Sequence, residues 1–183
     1  MGRDEIFYQS FQRTSNMLNL SAEEINLTSP YKVCPGEANS FYFTTTTGAT
    51  YNIGFVQDYM LSDEGVYQFY IIDVNHSHSQ RDPFVKATIQ CVIEAFFRQE
   101  PYVMLYICDP SDQRQGMRSR LFHHWFEEYE HHEQFTMINE EIMFDGIMYY
   151  GSIILRKDHP YYQELTSKFH AVIADLPEKI ENL

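Results

Sequence analysis

The chain of 183 residues is the size of one domain and can bury a large core, and its 14 Tyr and 14 Phe make that core an aromatic one. A formal net charge of -13 and a pI of about 4.9 argue against non-specific binding to nucleic acid or to an anionic membrane, both of which need clustered Lys and Arg. Three cysteines, an odd number, fit free thiols in a reducing cytoplasm, and no stretch approaches the roughly 18 apolar residues of a spanning helix. The start MGRDEIFYQS has no apolar signal core, so the expectation is a soluble cytoplasmic protein.

Residues 1–40 read as an N-terminal arm of helix and loop. Ile6, Phe7 and Phe11 come first, Ser21 and Glu24 form a capping box, and Pro35-Gly36 marks a turn. From Phe41 the period becomes two. Phe41, Phe43 and Thr45 alternate against Tyr51, Ile53 and Phe55 across Gly48-Ala49, as in a hairpin, and YQFYIIDV adds a third strand of an antiparallel meander. The four threonines 44 to 47 suit a hydroxyl-lined face, but β-propensity accounts for them.

Asp82 is a natural N-cap and Pro83 a natural first residue for a helix running to about Gln99. Its polar residues Lys86, Gln90, Glu94 and Arg98 form one narrow stripe, so the remainder, Phe84, Ile89, Val92, Ile93, Phe96 and Phe97 included, is expected to be largely covered. Tyr102 to Cys108 then runs without a charge, which predicts a central strand buried on both faces. Asp109-Pro110-Ser111-Asp112 breaks the chain, with Asp112 or Ser111 as the N-cap of a helix over 113–128. At about 100° per residue, Met117, Leu121, Phe122, Trp125, Phe126 and Tyr129 share one arc, the expected packing face, and Arg114 and Arg118 project into the same arc. FTMIN and IMYYGSIIL read as two further strands around Asp145-Gly146. Residues 157–183 close the chain with an amphipathic helix bearing Tyr162, Leu165, Phe169, Val172, Ile173 and Leu176. The reading is one α+β domain over residues 1–183, its core at 41–156, with a mixed, mostly antiparallel sheet flanked by helices.

The order β-β-β-α-β-α-β-β-α resembles that of the GNAT-type N-acetyltransferases over about residues 41–156. That resemblance implies an acetyl-CoA site whose pyrophosphate is held by the amides of a glycine-containing loop before the first core helix. The loop in that place, Asn75 to Asp82, contains no glycine, and Pro83 removes a donor. In detail the chain is similar to an uncharacterised bacterial family, a domain of unknown function. The likeness rests on the Tyr-x-Phe and Thr-x-x-Gly hairpin, the Thr88-Ile89 to Phe96-Phe97 helix and the pattern CDxSDxRQxxRxxLFxxWF from Cys108 to Phe126. It implies no activity.

No motif in the chain names a reaction. His76-x-His78 and the doublets His123-His124 and His131-His132 lack a ligand frame, and adjacent helical residues point about 100° apart, so no metal is expected. Cys108 is the thiol placed where a helix N-terminus lowers a pKa, although a buried strand cysteine is the commoner case. Arg114 and Arg118 stand where open sheets receive anions. They either pair with carboxylates such as Asp109 and Asp112 or recognise an acidic group on a partner protein or small anionic ligand. In the first case Arg118→Ala costs about a couple of kcal/mol. Two functions follow. One is a binding or interaction module on a GNAT-like scaffold without the glycine-rich loop and without a cofactor. The other is a divergent acyl-CoA-dependent transferase that holds its donor with amides near Ser77 to Arg81 and with Arg81 itself.

Overall fold

A computed structural model describes residues 17–63, 65–75, 82–108 and 110–181, with backbone alone for residue 144 and for 175–181. Ile6, Phe7, Phe11, His76, His78, Arg81 and Asp109 lie outside the described residues, as does the side chain of Leu176.

The alternation after Asn39 forms the hairpin β2 (Ser40–Thr44) and β3 (Thr50–Gln57), with Phe41 opposite Ile53 and Phe43 opposite Tyr51. β2 stops short of the threonine run because Thr45 turns back on the loop. Its hydroxyl accepts the Ala49 N–H at 3.0 Å and its own N–H donates to the Ala49 carbonyl at 2.8 Å. Gly48 supplies the positive φ of 88° that closes the turn. β4 (Val66–Asp73) completes the meander. A two-residue strand, β1 (Cys34–Pro35), pairs antiparallel with β2 where a loop was expected.

Ser21 caps the short helix α1 (Ala22–Ile25), and its side chain accepts the Glu24 N–H. Asp82 caps α2 (Pro83–Gln99), accepting the Phe84 N–H at 2.9 Å and the Tyr31 hydroxyl at 2.6 Å. α2 carries the chain across the sheet to β5 (Val103–Cys108), which pairs parallel to β4. The chain continues through α3 (Gln115–Glu127), a short 3-10 turn (His132–Gln134), β6 (Phe135–Phe144), β7 (Ile147–Arg156) and α4 (Tyr162–Glu181). Asp145 and Gly146, at φ 48° and 73°, make the primed turn between β6 and β7. The sheet order is β1-β2-β3-β4-β5-β7-β6, so β5 is central and flanked by strands of both orientations.

Successive β5 residues face opposite sides. Met104, Tyr106 and Cys108 join the core under α2 and α3, whereas Val103 and Leu105 pack with Leu165, Phe169 and Ile173 of α4. The larger core centres on Phe96 of α2, which has no solvent exposure. Its ring stacks on Phe55 at 4.4 Å, meets Tyr67 edge-on at 5.7 Å and lies 5.3 Å from Tyr102.

Four expectations need correction. α3 starts at Gln115, and Arg114 holds its N-cap position without a side-chain bond, because the Asp112 carboxylate is committed to the Arg114 N–H and the Arg118 guanidinium. Gln113, at φ 60°, breaks the helix ahead of that point. The packing arc of α3 is narrower than expected. The helix is turned so that Phe122 stacks on Tyr106 at 4.0 Å, which leaves Leu121 and Met117, about 100° and 140° around the axis, 43% and 62% exposed. Phe84 is likewise exposed on the flank of α2, edge-on to Tyr31 at 6.1 Å.

Phe96→Ala is expected to cost about 3–5 kcal/mol in urea unfolding. A loss under about 1 kcal/mol would mean that this ring is not the centre of the core.

Candidate functional site

Two places gather side chains of chemical interest. The first is the carboxyl end of β5. Here Tyr106 and Cys108, two residues apart on the same face, are both buried and hydrogen-bonded to each other beside Arg118. Burial pushes the Cys108 thiol up, and the Tyr106 hydroxyl and Arg118 offset that only in part. Burial also pushes the Tyr106 hydroxyl far above its ordinary range, with Cys108 adding to the shift. The helix that was to activate the thiol starts only at Gln115, and burial is the largest influence on the thiol. Gln115 reaches the opposite strand, donating to the Met148 carbonyl at 3.1 Å, and leaves its own enclosed Oε1 without a partner among the described residues.

Arg118 grips Asp112 with both guanidinium arms, at 2.9 and 2.5 Å. Their side chains are 36% and 43% exposed, so this is a surface clamp on the turn and not an enclosed pair. Arg118 beside it holds the Asp112 carboxyl below the usual aspartate range. Arg114 is exposed near the same carboxylate. Of the five expected site residues, the structure thus brings together Arg114, Arg118 and Asp112, while Arg81 and Asp109 lie outside the described residues.

The histidines are dispersed. His123 and His124 face Glu127 and Glu128 one turn on, at 3.6 and 3.2 Å, and His132 contacts the Tyr129 carbonyl at 2.8 Å. Among the described residues no three His, Cys, Asp or Glu side chains converge as a metal site would require. No described helix is long and apolar enough to cross a membrane.

The second place is a cleft of about 680 Å³ between α2 and α3, open on one side. One wall is the α2 flank of Gln90, Ile93, Glu94, Phe97 and Arg98. The other is Phe122, Trp125, Phe126 and Tyr129, continued by Glu130, His131 and Gln134. Met104, Ile154 and Phe135 form the floor, and Arg156 also lines the cleft. The rings line it without filling it. Phe97 lies 4.9 Å from Phe135, Tyr129 lies 6.3 Å from Phe135, and Trp125 lies 5.9 Å from Phe122. Glu94 salt-bridges Arg98 at 3.1 Å and also bonds the Tyr129 hydroxyl, whose pKa is raised by burial first and then by the carboxylate charge of Glu94. Lys86 and Glu128 tie the two helices together above it.

Sequence reasoning assigned these aromatics to packing and missed the cleft. The available signal was two faces at helical spacing, Ile93 and Phe97 on α2 and Trp125, Phe126 and Tyr129 on α3, each bordered by charges. Such a pattern also describes two helices in ordinary contact, and only their placement separates the cases.

Residues 81–171 match a family described as Family of unknown function (DUF6169), which agrees with the resemblance carried by the Cys108 to Phe126 pattern. The matched segment contains every residue lining the cleft. No curated protein and no solved structure matches the chain.

Three outcomes test this geometry. Arg118→Ala is expected to cost less than about 1 kcal/mol, since an exposed pair is screened by water. The depressed Asp112 value means that its contribution is present above the ordinary 3.8 and lost as the pH falls through the lower folded value. The stability gap between wild type and Asp112→Asn therefore closes in acid, and a gap that widened there would contradict the pairing. In thiol titration of the native protein, exposed Cys34 should react promptly and Cys108 only on unfolding. Fast reaction of Cys108 in the folded protein would restore it as a nucleophile.

Proposed function

We propose that this chain is a ligand-binding module on a GNAT-like scaffold, and that its ligand sits in the aromatic cleft between α2 and α3. The observation that carries the reading is the cleft itself. At about 680 Å³ it has the size of a small-molecule site, with apolar walls and a few polar groups at the rim. The element order from β2 to α4, with a parallel β4–β5 pair at its centre, supports the scaffold comparison. An anionic ligand or acidic partner at Arg114 and Arg118 would have to displace Asp112 from Arg118, whereas occupation of the cleft displaces nothing. The cleft is therefore the better-supported seat.

One observation favours the divergent acyl-CoA-dependent N-acyltransferase as a second reading. The β4–β5 ladder ends at Phe69 opposite Tyr106, and β4 runs on to Asp73 and β5 to Cys108 without pairing to each other. In the GNAT-type enzymes the equivalent strands splay apart to admit the acyl donor. The glycine-free loop before α2 weighs against it.

Nile red, a neutral apolar dye, is expected to bind saturably at one site per chain and to lose that site in Ile93→Trp, which fills the cleft. Unchanged saturable binding in a folded Ile93→Trp protein would place the dye elsewhere and overturn the reading. Millimolar CoA and acetyl-CoA are expected to leave the melting temperature unmoved. A ligand at a hundred times its Kd stabilises by about 2.7 kcal/mol, so an upward shift of several degrees would establish the transferase reading instead.

A further inference from the structure

We infer that the α2–α3 cleft selects an organic cation, an ammonium group carried on an aromatic or apolar body. This rests on the cleft being the binding site and adds the charge of what enters it. Charge around the cleft is unevenly compensated. Arg98 is held by Glu94 at 3.1 Å, and Arg156 is held by both oxygens of Asp158 at 2.9 Å, so the two arginines already have anions. Glu130, on the rim beside Tyr129, makes no ion pair among the described residues. His131, the remaining ionisable group of the rim, packs edge-on against Tyr129 at 5.7 Å. The cleft is thus lined by aromatic side chains with an exposed carboxylate, Glu130, inside a chain of net charge -13. Ring faces are negative and attract cations, most strongly those of Trp and Tyr, and here Trp125 and Tyr129 stand on the same wall. An anion of the same shape would meet that ring field, Glu130 and the long-range field of the chain together.

Trp125 is the sole tryptophan of the chain, so its emission reports the occupancy of this cleft. Three probes share a phenol body and differ in charge: 3-hydroxyphenyltrimethylammonium, its neutral isostere 3-tert-butylphenol, and 3-hydroxybenzenesulfonate. The cation is expected to change Trp125 emission saturably and to bind about tenfold more tightly than the neutral isostere, with the sulfonate weakest. Glu130→Gln, a change at an exposed position, should narrow the gap between cation and neutral probe. Equal or tighter binding of the neutral probe would overturn the charge inference and leave the cleft standing as a binding site. Tightest binding of the sulfonate would overturn it outright. No change in Trp125 emission with any of the three would remove the cleft reading and this inference with it.

Discussion

The parallel pairing of β4 with β5 is the constraint from which the rest of the structure follows. Parallel neighbours cannot be joined by a tight turn, so the chain must cross the sheet, and α2 is that crossing. A helix laid on a sheet has to bury one face. α2 does so through Thr88, Ile89, Val92, Ala95 and Phe96, and the stack of Phe96 on Phe55 fixes its height above the strands. β5 then delivers the chain to its own carboxyl end, from which α3 leaves over the same side of the sheet. Two helices share one face, anchored by different rings to different strands: Phe96 over Phe55, Phe122 over Tyr106. Helices that interdigitate lie about 8–10 Å apart. α2 and α3 instead meet through polar links, Lys86 to Glu128 and Glu94 to Tyr129, and the apolar flanks between those links line a cleft.

Much of this was legible from residue patterns. The uncharged run ending at Cys108 marked the central strand, Asp82-Pro83 marked the start of the crossing helix, and the alternation around Gly48 set the hairpin register. What escaped was fixed by tertiary placement. The apolar residues of α3 cover about half its circumference, and no periodicity states which part of so wide an arc turns inward. The stacking of Phe122 on Tyr106 decides it and strands Met117 and Leu121 at the surface. Asp112 is a good cap by type, but a carboxylate two residues ahead of one arginine and six ahead of another is claimed by them first. β1 has only two residues, too few to show a period. The cleft was the least legible of all, because a void is the absence of a contact and the residues around it look like core.

The same placement redirects the chemical reading. Cys108 and the arginines drew attention because a strand end before a helix is where α/β sheets bind ligands. In this chain that position is occupied by its own groups: Arg118 is clamped to Asp112, and Cys108 is sealed under Tyr106 with its thiol pushed up. The accessible aromatic surface lies one helix flank away, within the segment that matches a family of unknown function.

The most direct measurement of the account is the pattern of backbone nuclear Overhauser contacts between β4 and β5 in solution. Contacts are expected in parallel register from Val66 opposite Val103 to Phe69 opposite Tyr106, and none between Ile71 and Cys108. An antiparallel pattern would contradict the crossover on which the rest depends, and contacts continuing to Cys108 would remove the opening between β4 and β5.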